Sequence, residues 1–138
     1  MRASWFRPVL AVAASTLVTG GCRDTTRPEV NPSVVAGTYV LAAVSGRGPV
    51  SGTIVLTAVG GAERRVQYAA SGGALGPEYV AVGTFRAQAD SISFTLREDG
   101  GRSPYEWNLR GERLADGFTI RYGDPADGPD IVETYRRQ

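Results

Sequence analysis

The sequence is bounded first by what it does without. Its 138 residues contain no histidine, no lysine and a single cysteine, Cys22. Without histidine, the Ser-His-Asp and Cys-His nucleophilic constellations and imidazole-ligated metal sites are excluded. Without lysine, Ser-Lys dyads and Schiff-base chemistry are excluded too, and one cysteine allows no internal disulfide. Carboxylates, hydroxyls and arginines are all that remain for catalysis, and none forms a recognisable catalytic constellation. The chain therefore reads as a non-enzyme with no cofactor, no catalytic residues and no metal site. No apolar run reaches the ~20 residues that a spanning helix requires.

All 15 basic residues are arginine, set against 14 acidic ones. A GC-rich genome accounts for that bias together with the abundant Ala, Gly, Val and Pro. The charge is spread evenly, with no basic stripe of the kind a phosphate backbone requires, so nucleic acid is not an expected partner.

Residues 1–21 have the layout of a signal peptide. Arg2 and Arg7 form a positive start, Pro8 to Val18 is a short apolar stretch, and small residues follow. The stretch Leu17-Val18-Thr19-Gly20-Gly21-Cys22 resembles the lipobox of bacterial lipoproteins, in which small residues precede an acylated cysteine. The resemblance implies a membrane anchor at Cys22, and Arg23 after it implies an outer-membrane lipoprotein of the cell envelope facing the periplasm. A conventional cut after Gly21 would instead leave a secreted protein. Residues 22–35, with Pro28 and Pro32 and no periodicity, read as the lipidated cysteine and a flexible tether. Without Arg2 and Arg7 the exported chain carries 13 basic against 14 acidic residues, formally −1.

From Ala36 to Gln138 the pattern has period two, and turn residues punctuate it. Strands are expected over Gly37–Val44, Thr53–Val59, Arg64–Ala70, Tyr79–Arg86, Ser91–Arg97, Tyr105–Arg110, Phe118–Tyr122 and Ile131–Arg136, with Gly83 a bulge or bend. Ile92, Phe94, Leu96, Tyr105, Trp107, Leu109, Phe118, Ile120 and Tyr122 fall on one face. Ser93, Thr95, Arg97, Glu106, Asn108, Arg110, Thr119 and Arg121 fall on the other, the pattern of an antiparallel sheet with one buried face. Eight strands with short connections predict an all-β, up-and-down antiparallel barrel, which leaves no exposed edge. A two-sheet β-sandwich is the alternative. A membrane barrel with its apolar face outward is set aside, because the arginines would crowd a narrow lumen.

Gly37-Thr38-Tyr39 resembles the Gly-x-Trp opening of lipocalins and fatty-acid-binding proteins, the calycin group. In that group an arginine near the end of the last strand packs over the opening aromatic. The resemblance implies barrel closure by Gly37, Tyr39 and Arg136 (or Arg137), and an interior able to hold one small apolar ligand. Candidate ligand contacts are Trp107, Tyr105, Phe118 and Tyr122; the competing reading makes them core.

Other groupings read as surface. Asp124, Asp127, Asp130 and Glu133 concentrate carboxylates near a turn, but Asp, Gly and Pro are ordinary hairpin residues and the spacing is not that of a calcium loop. Glu98-Asp99 reads as a turn, and Arg64-Arg65 as a solvated pair. The sequence thus points to a non-catalytic binding module for a small apolar ligand. The alternative is a filled barrel that acts as an envelope protein-interaction module, an inhibitor or assembly factor.

Cys22→Ser is expected to release the protein from membranes with its fold intact, as read by fractionation and circular dichroism. A variant that still partitions with membranes would overturn the anchor.

Overall fold

The computed structural model describes residues 27–70, 72–99, 105–124 and 128–138. The expected signal peptide and the lipid anchor at Cys22 lie outside them.

Alternating sequence becomes strand wherever one set of side chains can be buried together. The described residues form β1 (Glu29–Val30), the one-turn α1 (Pro32–Val35), β2 (Gly37–Ser45), β3 (Ser51–Leu56), β4 (Gly61–Ala69), β5 (Leu75–Gln88), β6 (Ser91–Glu98), β7 (Tyr105–Leu114), β8 (Gly117–Tyr122) and β9 (Ile131–Arg137). Each of β2 to β9 pairs antiparallel with its neighbours in sequence, and β9 returns to pair with β2. The result is a closed eight-stranded antiparallel barrel. Closure excludes the two-sheet sandwich.

The closing pair runs from Tyr39↔Arg137 to Ser45↔Val132, with a register shift between Leu41 and Ala43. Such a shift bends a strand and sharpens its twist, which a narrow barrel needs. At the start of β2, Gly37 has φ +154, and a Cβ there would lie 3.1 Å from Arg137 Nε. Arg137 Nη2 donates to Ala36 O at 2.6 Å. Arg137, not Arg136, thus lies over the opening of the first barrel strand. Arg136 is one residue out of phase, faces solvent and pairs with Asp116. Alternation puts Arg137 on the face of Tyr135 and Arg136 on the other, both exposed at the end of the barrel.

Residues 29–35, expected within the tether, belong to the fold. β1 extends the sheet along the end of β5, through Glu29↔Gln88 and Val30↔Ala87. Asn31 caps α1 by accepting from Ser33 N at 3.0 Å, and Pro32 occupies the first turn, where its missing N–H costs nothing. Val35 is buried with the core, and its carbonyl accepts from Tyr39 Oη at 2.7 Å.

The apolar face points inward. Ile92, Phe94, Leu96, Leu109, Phe118 and Ile120 are buried, while Thr95, Arg97, Glu106, Asn108, Arg110 and Arg121 are exposed. Phe118 anchors the lower core, its ring centroid 4.9 Å from Tyr39, 5.5 Å from Phe94 and 5.5 Å from Tyr135. Pairs at such distances add about 0.5–1.5 kcal/mol each beyond burial.

Gly83 stays in register with both Ala62 and Leu96, so it marks a bend rather than a bulge. The wall turns so tightly there that a Cβ would lie 2.0 Å from Thr95 O. Gly83→Ala is expected to lower stability by about 1–3 kcal/mol, the usual cost of overpacking. Urea unfolding measures it, and a variant as stable as the parent would refute the close approach.

Candidate functional site

Period two places Arg64 between Ala62 and Val66 on the inner face of β4, and Glu133 between Ile131 and Tyr135 on the inner face of β9. Neither belongs to the solvated groupings that the sequence suggested. Arg64 is 4% exposed and Glu133 0%. They meet across the barrel, Arg64 Nη2 donating to Glu133 Oε1 at 2.6 Å. Tyr135 Oη donates to Glu133 Oε2 at 2.7 Å, and Tyr122 Oη donates to Oε1. Glu133 therefore accepts from one guanidinium and two phenols, which is how a carboxylate is tolerated in a core.

These contacts fix protonation states. Burial, then the charge of Glu133 and its hydrogen bond, push the Tyr122 phenol well above its ordinary value. Burial also raises Tyr135; the positive charge of Arg64 opposes the shift and Glu133 adds to it. Burial alone would lower the pKa of Arg64, but Tyr135 and Glu133 hold it above its ordinary value, so the guanidinium stays charged. Both phenols are thus donors, and their folded pKa lies above the ordinary 10.0. Their contribution to stability is complete below that pH and is lost as pH rises beyond it.

Above this pair the barrel opens. At the end of the barrel reached by the last residues of β4 and β6 and the first of β5 and β7 lies a cup of about 450 Å³, lined by Tyr68, Tyr79, Tyr105 and Trp107, with Arg64 and Glu98. The rings form two edge-to-face pairs, Tyr68–Tyr79 with centroids 5.6 Å apart and Tyr105–Trp107 at 4.8 Å. Trp107 also touches Tyr122, with centroids 6.0 Å apart. Glu98 ends β6 with its side chain on the cup and accepts from Trp107 Nε1 at 3.3 Å. Apolar walls with a few convergent polar groups have the general character of a small-molecule site.

The chain matches no protein-family model, no curated protein and no solved structure.

Of the four residues expected at a ligand, Trp107 and Tyr105 line the cup. Tyr122 lies beneath Trp107 as a donor to Glu133. Phe118 does not reach the cup: it is four residues from Tyr122 on the same face of β8, about 13 Å along the strand, and only 2% exposed. Tyr68, Tyr79, Glu98 and the Arg64–Glu133 pair were not anticipated. The signal for the pair was present, since each charge interrupts an inward-facing apolar series. A larger hollow of about 650 Å³ lies on the outer wall beside Arg27, Arg86 and Arg110. Its lining is largely polar and charged, and Arg27 is already paired with Asp90, so it lacks the apolar enclosure of the cup.

Glu133→Gln is expected to destabilise the fold by about 3–5 kcal/mol, because it strands a buried guanidinium, whereas Arg64→Met/Glu133→Leu recovers most of the loss. Denaturant midpoints compare them. A single variant at least as stable as the double would refute the uncompensated-charge account.

Proposed function

We propose that this protein is an exported, non-catalytic binding module that holds a small apolar molecule in the cup, anchored to the cell envelope through acylated Cys22. One observation carries the binding reading: buried aromatic rings pack the α1 end, yet a hollow of about 450 Å³ walled by four aromatic side chains remains at the other. A barrel that served only as a scaffold has no need of such a hollow.

The lipocalin-like comparison supports the same reading through three features: the up-and-down topology, a buried Tyr39 at the opening of the first barrel strand, and Arg137 returning over Gly37. The lipobox-like leader supports attachment to a membrane, with an outer-membrane destination and the barrel in the periplasm. In the absence of a lipid at Cys22, the same module would be secreted.

The second reading, a filled barrel that contacts an envelope protein, is favoured by the lower interior. There Tyr39, Phe94, Phe118 and Tyr135 are all under 5% exposed and their rings pack against one another. The two readings divide on whether the upper half is occupied.

Native mass spectrometry of the protein purified without added ligand is expected to show a small-molecule adduct that is lost on denaturation. A clean apo mass, persisting after incubation with a total envelope extract, would refute the binding reading and favour the filled barrel.

A further inference from the structure

The charges around the cup narrow the chemical class of its ligand, an inference that rests on the binding reading above. Arg64, at the floor, is neutralised by Glu133 at 2.6 Å. Glu133 is in turn saturated by Tyr122 and Tyr135. The Arg64 Nε is buried without a hydrogen-bond partner among the described residues, but the pair as a whole carries no net charge. The floor therefore offers no net positive charge to a carboxylate.

The wall carries the opposite sign. Glu98 is half-buried beside the rings and accepts one long hydrogen bond, from the Trp107 indole at 3.3 Å. It forms no ion pair among the described residues. Any molecule that fills the cup covers this carboxylate, and a carboxylate shut away from water without a cation is strongly unfavourable. An apolar ligand alone would leave it so, and a fatty acid would add a second negative charge. A ligand bringing its own positive charge satisfies Glu98 as it covers it. The aromatic walls suit the same charge, because ring faces are the negative part of the quadrupole and attract cations.

We propose that the cup selects an organic cation, an amine with an aromatic or aliphatic body, its ammonium against Glu98 and its body among Tyr68, Tyr79, Tyr105 and Trp107. The ammonium donates to the Glu98 carboxylate while the apolar body displaces water from the rings. Arg64 and Glu133 stay paired beneath it and set the depth of the site.

Isothermal titration of the full chain at pH 7 with 4-phenylbutylamine, 4-phenylbutanol and 4-phenylbutanoate tests this, since the three share one skeleton and differ in charge. The amine is expected to bind about tenfold more tightly than the alcohol, a gain within reach of a desolvated charge pair and ring contacts, and the carboxylate most weakly. Glu98→Gln is expected to abolish the amine's advantage and to tighten the alcohol, which then no longer covers an unpaired carboxylate. An amine no tighter than the alcohol, or an advantage that survives in a folded Glu98→Gln variant, overturns cation selection and leaves cup binding intact. No heat from any of the three overturns both. The ranking on the parent protein decides the matter even if the variant fails to fold.

Discussion

The structure depends on the pairing of its first barrel strand with its last. Without the β2–β9 ladder the meander would be an open sheet with two exposed edges and one apolar face in water. With it, eight strands enclose an interior of fixed and narrow width, and each inward position must be filled, paired or left as a hollow. The segment before β2 belongs to the same constraint. β1 extends the sheet along β5, α1 adds Val35 to the core, and Arg137 ties the end of β9 back to Ala36.

The interior that closure creates is divided into layers. Rings from β2, β6, β8 and β9 pack the end near α1, and rings from β4, β5 and β7 wall the other. Between them lies an ion pair whose two charges come from strands far apart in sequence. A buried pair of this kind is a poor source of net stability compared with apolar side chains of similar size. What it does here is end the packed core at a defined depth. Tyr135 donates to Glu133 from below and Tyr122 from above, so the polar layer is joined to both aromatic groups. A cup over a neutralised floor, with Glu98 in its wall, is a different electrostatic environment from a hollow with a free arginine at its base.

Much of the fold was legible in the residue order. The cleanest alternations, Ile92-x-Phe94-x-Leu96 and Phe118-x-Ile120-x-Tyr122, marked strands and their inward faces, and Gly- and Asp-rich breaks marked most turns. Expected and observed strands overlap for all eight barrel members. The site was legible only in part. Trp107 and Tyr105, read either as ligand contacts or as core, line the cup, but Phe118 lies on the same face as Tyr122 and could not be told from it by pattern. Arg64 and Glu98 were read as surface because charged residues usually are, although Arg64 sits between two inward apolar neighbours. The segment before β2 looked like a tether because two prolines and polar residues conceal a short strand and a capped turn.

By itself the sequence determined strand, turn and face, because period-two alternation is a local property of the chain. It also excluded the chemistry of histidine, lysine and disulfides through the residues it lacks. Only the tertiary structure decided that the barrel closes, that Arg137 rather than Arg136 turns over Gly37, and that Arg64 meets Glu133, 69 residues away. It also set how far up the interior the packing stops. These are matters of distance across the barrel and height along its axis. Both depend on strand tilt and register, which no local pattern of residues contains.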